Sequence, residues 1–289
     1  MTAPFSPNIE RLHALLRCCT MCPRHCRVDR TAGRLGSCRV GAQALVASVM
    51  PHFGEEAVLV GRGGSGTIFL AGCNLHCVFC QNHDISQSVT GRACSPGEIA
   101  DLTRHLREMG CVNVNFVTPT HVSHAVAAAI VLARQRGPVA PTVYNCGGYE
   151  SVETLRLLDG LIDIYLPDFK YADPDAARRF SQAPDYPAVA AAALAEMYRQ
   201  VGPLTLNPSG VARRGLLVRH LVLPADLAKS RQVLDIIAQT APGAALNVMA
   251  QYRPAHRADQ FPELLDRPLP SVIAQLRAYA SHLGLQLTD

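Results

Sequence analysis

Three cysteines, Cys73, Cys77 and Cys80, stand in the stretch AGCNLHCVFCQN. Thiolates favour iron–sulfur clusters or zinc, and C-x3-C-x2-C lets three of them curl around one cuboidal cluster within a single tight loop. A closed zinc or four-iron site wants four ligands. A set of three leaves a metal position open, and open positions are where metal chemistry happens. Zinc completed by His76 or His83 is the competing metal reading, and core cysteines spaced this way by chance is the bland one. The expectation taken forward is a [4Fe-4S] cluster with three protein-bound irons and one free.

A second group lies near the start of the chain. Cys19, Cys22, Cys26 and Cys38 follow C-x2-C-x3-C-x11-C and supply the four thiolates of a closed site, with Pro and Gly providing turns. Structural zinc and a second [4Fe-4S] cluster relaying electrons are both open readings, and Cys18 competes with Cys19 for the first place. Cys94, Cys111 and Cys146 read as packing thiols. Eleven cysteines in a chain whose first residues, MTAPFSPNIERL, do not read as an export signal suggest a reducing cytoplasm, with ligands or buried thiols rather than disulfides. The longest apolar run, AVAAAIVLA at 125–133, is far short of the roughly 20 residues a membrane span needs, so no membrane partner is expected.

Composition adds limits. At 48% apolar and 17% charged the chain reads as globular. The net charge of +4 is mild, and the arginine pairs Arg178–Arg179 and Arg213–Arg214 are scattered instead of forming a basic stripe. Nucleic acid is therefore not the expected partner.

The elements that must hold these groups begin near Gly66. Short β-branched runs at 67–71, 112–117, 142–146, 163–166, 216–223 and 245–249 alternate with helical stretches. In SPGEIADLTRHLREMG, Ser95 is the expected N-cap, Pro96 the first helical residue, Glu98 the capping-box partner and Gly110 the stop. Strands alternating with helices mean βαβ units and a parallel sheet. Six units are too few for a closed eight-stranded barrel, so the expected fold is α/β, an open partial (β/α)6 barrel over residues 51–289. Residues 1–50, with little periodic pattern, form a small Cys-rich metal module. Functional groups are expected at the carboxyl ends of the strands. Those ends offer Thr118, Thr120 and His121, then Asn145 beside Gly147 and Gly148, then Asp168 and Lys170, which share a face. Gln251, Tyr252 and His256 follow the last strand. Of Arg219 and His220, only one can face the barrel interior, because successive side chains alternate.

The C-x3-C-x2-C loop with aromatic Phe79 before Cys80 resembles the radical S-adenosylmethionine (SAM) superfamily. The stretches GSGTIFLAGCNLHCVFCQN, NVNFVTPTH, YNCGGYES, DIYLPDFKY, LLVRHLVLP and NVMAQYRP resemble its uncharacterised pyruvate formate-lyase activating enzyme-like family, over about residues 15–285. The resemblance implies that the free iron chelates the amino and carboxylate groups of SAM and that Phe79 packs on its adenine. Reductive cleavage then yields a 5′-deoxyadenosyl radical that abstracts hydrogen from a substrate. It implies that Asp168 and Lys170 lie near the SAM carboxylate, where the Asp can help hold a monovalent cation, and that Arg219 meets that carboxylate. The Gly-Gly-Glu that holds the SAM amino group in relatives is absent; VTPTH stands in its place. The substrate expected by resemblance is a protein or peptide, a glycyl radical enzyme among the candidates, with flavodoxin or ferredoxin as electron donor. A small-molecule substrate and a non-catalytic metal-binding adaptor are the alternatives.

Overall fold

The computed structural model describes residues 6–288. In chain order, the first half contains α1 (Pro7–Ala14), β1 (Ala44–His52), α2 (Ala57–Val60), β2 (Ser65–Leu70), α3 (His83–Ser86), β3 (Arg92–Cys94), α4 (Pro96–Glu108), β4 (Asn113–Val117) and α5 (Ser123–Gln135). Then follow β5 (Thr142–Cys146), α6 (Val152–Leu157), β6 (Ile164–Pro167), α7 (Pro174–Ser181), α8 (Tyr186–Val201), β7 (Thr205–Leu206), β8 (Ala212–Leu221), α9 (Ser230–Thr240), β9 (Ala245–Met249), α10 (Pro270–His282) and β10 (Gln286–Leu287).

Strands β2, β4, β5, β6, β8 and β9 lie side by side in that order and pair in parallel. These are the six strands expected from the sequence, and the fold is α/β with a mostly parallel sheet. The hydrogen-bonded path ends at β3 on one side and β10 on the other, so the sheet stays open. Strands β4, β5 and β6 are buried along nearly their whole length, as parallel strands covered on both faces must be. Helix α4 begins with the expected capping box, Ser95 accepting from Glu98 N and Glu98 returning to Ser95 N. Gly110 follows it with φ +90°, a left-handed stop that glycine adopts without strain.

Residues 1–50 depart from expectation. They hold α1 and most of β1, and the expected boundary at residue 50 falls inside β1. Ile9, Leu12 and Leu16 repeat at helical spacing and are fully buried in the same apolar cluster as the barrel helices. The signal was present, but it spans only two turns.

Strand β1 runs antiparallel to β2, with His52 opposite Ser65. That direction delivers the chain to the amino-terminal end of the parallel strands, and α2 closes it. Leu59 packs there with Val143, Ile164, Leu166, Ala212, Leu217 and Ala245, and its carbonyl accepts from Asn113 Nδ2 at 2.7 Å.

Candidate functional site

Period-two alternation decides what faces the barrel interior. Val143, Ile164, Leu166, Leu217 and Ala245 form its apolar layer. Two residues further along their strands come Asn145, Asp168, Arg219 and Asn247. The register sets Arg219 beside both Asn247 and Asp168. A polar layer therefore sits above the apolar one, towards the carboxyl ends of the strands.

Arg219 is its hub. Nε donates to Asp168 Oδ1 at 2.8 Å, Nη2 to Asn145 Oδ1 at 2.7 Å and Nη1 to Glu55 Oε1 at 3.2 Å. Lys170 Nζ donates to the other Asp168 oxygen at 2.6 Å. Burial alone would raise the Asp168 carboxyl, but the Arg219 and Lys170 charges overcome it and hold it below the usual range. Of the two candidates it is Arg219 that faces the interior, and His220 points the other way, as strand alternation requires. His220 is fully buried between Phe169 O and Ser230 Oγ, at 2.7 and 2.9 Å, and burial keeps it neutral, with its pKa near 4.

Sequence reasoning missed Glu55 and Glu56. They arrive from the β1–α2 connection, which carries no strand or loop motif, and only the antiparallel course of β1 brings them under the barrel. Glu55 Oε2 accepts from Asn115 Nδ2 at 2.6 Å and Asn145 Nδ2 at 3.2 Å. Glu56 accepts from Asn247 Nδ2 at 2.5 Å, and burial raises its carboxyl against the pull of Arg219. Asn115 is fully buried and its Oδ1 has no partner among the described residues. The layer thus sets three carboxylates (Glu55, Glu56, Asp168) against two cations (Lys170, Arg219) and keeps an open acceptor.

The cysteine loop starts directly after β2 and is clamped from several sides. His121 Nε2 bonds Ala71 O at 2.9 Å, Val78 N donates to Phe180 O at 2.8 Å, and Arg257 N donates to Val78 O at 2.8 Å. Arg24 Nε holds Asn74 O at 2.8 Å. Cys77 Sγ lies 2.9 Å from Ser181 Oγ, and Cys80 Sγ lies 3.2 Å from Ser86 Oγ. Burial raises the Cys77 thiol and the nearby Lys170 charge opposes it, which ties the loop to the polar layer. His76 is engaged by Ser37 Oγ at 2.7 Å, and His83 stacks on His256. Among the described residues no three His, Cys, Asp or Glu side chains converge as ligands of one metal ion. A four-iron cube gives each thiolate its own iron, so its ligands need not meet at a point. The donor set of three loop thiols, together with the acceptor left open on Asn115, fits a cluster and a polar cationic ligand.

Phe79 is 5% exposed and packs edge-on against Tyr171 and Tyr252, with centroids 6.4 and 5.9 Å away. Thr118 ends β4 with φ +60°, a strained conformation for a β-branched residue, and its N–H donates to Asn145 O at 2.8 Å. Gln251 is exposed beyond β9 and its amide meets Met249 Sδ at 3.3 Å. The structure does not bring Thr120 to the Arg219 group. Its hydroxyl donates to Glu150 Oε1 at 2.5 Å, in a separate buried network with Tyr144 and Ser123. A monovalent cation at Asp168 would have to share oxygens that Arg219 and Lys170 already hold. In the N-terminal group Cys19, Cys22 and Cys38 are buried, Cys26 is half-buried and Cys18 is exposed.

Burial raises Glu150 to about 7, against the hydrogen bonds from Thr120 and Tyr144. A carboxyl raised in the fold contributes stability at low pH that is lost as pH climbs from its unfolded value through about 7. Glu150→Gln is expected to match the wild type at pH 5 and to exceed it by roughly 3 kcal/mol at pH 8, measured by urea unfolding. Equal pH dependence in both proteins would refute this.

Gly148 seats the Asp168 backbone. Its φ is +78°, and a Cβ there would fall 2.2 Å from Asp168 O and 2.8 Å from Tyr186 Oη. Gly148→Ala is expected to cost at least about 2 kcal/mol and to loosen the Asp168–Arg219 pair. Thermal unfolding checks the first effect, and an unchanged midpoint would count against it.

The family model described as the radical SAM superfamily matches residues 67–207. An uncharacterised protein of Methanocaldococcus jannaschii, MJ0674, is 31% identical over 288 residues, covering 97% of this chain and 79% of that protein. Among solved structures, the cobalamin-dependent S-adenosylmethionine radical enzyme OxsB with aqua-cobalamin bound is similar with a TM-score of 0.41 and 12% identity. That match covers 76% of this chain and only 31% of the OxsB chain.

Proposed function

The chain belongs to the radical SAM superfamily, and on that premise we propose that it takes a hydrogen atom from a protein or peptide, as activases of glycyl radical enzymes do. The family makes it an enzyme that uses a [4Fe-4S] cluster and SAM. Bound together, these supply one electron and a carbon-centred radical able to take hydrogen.

The chain's own residues divide the remaining work. Cys73, Cys77 and Cys80 are the residues that would hold the cluster through three of its irons, leaving the fourth for the nucleotide. Arg219 spends three of its five N–H donors on Asp168, Asn145 and Glu55. The remaining edge suits the SAM carboxylate, and a guanidinium binds that group in bidentate fashion. Glu55 is the carboxylate that the strand-end motif lacks, supplied from beneath the barrel. The observation that carries the cofactor assignment is the charge of the polar layer. Its excess of carboxylates over cations suits a ligand bearing both a sulfonium and an ammonium group. Phe79, Tyr171 and Tyr252 wall the loop and exclude water, which protects a reactive radical.

The open sheet supports a large substrate, since a loop of a second protein can enter between its unpaired edges. Perdeuterated extract of the source cells, split into macromolecules and small metabolites, provides the test. Deuterium is expected in 5′-deoxyadenosine from the macromolecular fraction. Label arising only from the metabolite fraction would replace this reading with a small-molecule substrate.

A further inference from the structure

A cavity of about 450 Å³ opens beside the cysteine loop, a size that holds a small molecule. Arg39, His76, His83, Gln182, His256 and Arg257 line it, and among the described residues no carboxylate does. None of them belongs to the Arg219 layer. They come from four stretches far apart in the chain: the segment before β1, the cysteine loop with α3, the end of α7 and the turn after β9. Arg24, close by, spends its guanidinium on the carbonyls of Asn74, Ser181 and Gln182. Arg39 and Arg257 are not spent in this way. Among the described residues, Arg39 reaches Gln87 Oε1 alone, at 3.4 Å, and Arg257 Nε is buried with no partner. Neither guanidinium forms an ion pair among those residues, although two like charges on one wall repel.

The backbone bends to put these groups there. Arg39, Gln182 and His256 have φ of +60°, +53° and +56°, a left-handed conformation that costs energy for any residue with a Cβ. Gln182 also caps the end of α7, but no helix ends at Arg39 or His256. We propose that this cavity is a binding site for a phosphate group, free or carried as the monoester of a small molecule. A phosphate monoester bears close to two negative charges at neutral pH, which matches the two guanidiniums, and its oxygens accept from arginine in bidentate fashion. A carboxylate would neutralise only one of them. The imidazoles and the Gln182 amide add further donors. Asp259, whose charge reaches His256, opposes the site from outside its lining.

The cavity shares its wall with the loop. His76 stands between Cys73 and Cys77, Arg257 N donates to Val78 O at 2.8 Å, and His83 Nδ1 lies 3.2 Å from Cys80 O. Gln87 Oε1 is 3.4 Å from both Arg39 Nη2 and His76 Nδ1. A bound phosphate therefore ties the segment before β1 and the turn after β9 to the loop that carries the three thiols.

The test titrates the reconstituted full chain, by calorimetry without oxygen, with inorganic phosphate, with glycerol 3-phosphate and with acetate. Both phosphates are expected to bind at a single site per chain, about tenfold or more tighter than acetate. Arg39→Gln and Arg257→Gln should each weaken phosphate roughly 10- to 100-fold, while Arg213→Gln, at an exposed arginine elsewhere, should change nothing. Tighter binding of the ester would assign the site to a phosphorylated metabolite, and equal binding to the free ion. No uptake of either phosphate, acetate bound as tightly, or affinity unmoved in both glutamine variants would overturn the site. Binding of a polyglutamate peptide in place of the phosphates would overturn it too, and give the surface to an acidic protein. Arg39 is exposed, so its variant keeps the test decisive should Arg257→Gln not fold. Binding is read without SAM cleavage, so the outcome stands apart from the fate of the peptide-substrate reading.

Discussion

Cys77→Ala protein, reconstituted without oxygen, is expected to lose the SAM-responsive cluster and all SAM cleavage while remaining folded. Cys77 is buried against Ser181 at the centre of the loop, and a set of three ligands has none to spare. The fold should survive because the loop is held through other groups. Val78 is fixed on both sides by main-chain bonds to Phe180 and Arg257, and Arg24 holds Asn74 O. Removing one sulfur should cost about 1 kcal/mol, a shift of a few degrees in thermal midpoint. Absorbance of the SAM-bound form, 5′-deoxyadenosine yield and a thermal scan check the three parts together. Full SAM cleavage by this variant would contradict the ligand assignment.

Arg219→Met carries the next largest effect, and it falls on both stability and binding. The guanidinium neutralises Asp168 and Glu55 inside the barrel, with side chains only 10 to 17% exposed. Removing it leaves Asp168 with Lys170 alone and takes from Glu55 its ion-pair partner, and breaking a buried pair costs about 3–5 kcal/mol. Loss of the carboxylate anchor should weaken SAM binding about 10- to 100-fold. Arg219→Lys should rescue little, since one ammonium cannot reach Asp168, Asn145 and Glu55 from a single rotamer. Urea midpoints and equilibrium SAM titration of the reconstituted protein check this. A Lys variant with wild-type affinity would show that the planar fork is not what matters.

Much of the site was legible because it lies on regular strands. Alternation required that only one of Arg219 and His220 face inward, the resemblance favoured Arg219, and the carboxyl ends of β5 and β6 brought Asn145 and Asp168 to the same layer. The cysteine loop was legible from spacing. Thr120 was misplaced because the chain turns into a short 3-10 helix after Pro119, so the strand's alternation no longer applies. Glu55 and Glu56 were invisible for a different reason. Their position depends on a long-range event, β1 pairing antiparallel with β2, and nothing local in FGEEAV announces it. Likewise α1 buries only Ile9 and Leu12, with Leu16 just past its end, too few for periodicity to be read with force.

The decisive measurement is the product formed when the reconstituted, fully reduced protein meets SAM in the absence of oxygen. Methionine and 5′-deoxyadenosine should appear in equal amounts, and both should vanish when Cys73, Cys77 and Cys80 are replaced together. Intact SAM after prolonged reduction, with zinc in place of iron in the loop, would contradict a cluster bound through three thiolates with its fourth iron given to the nucleotide.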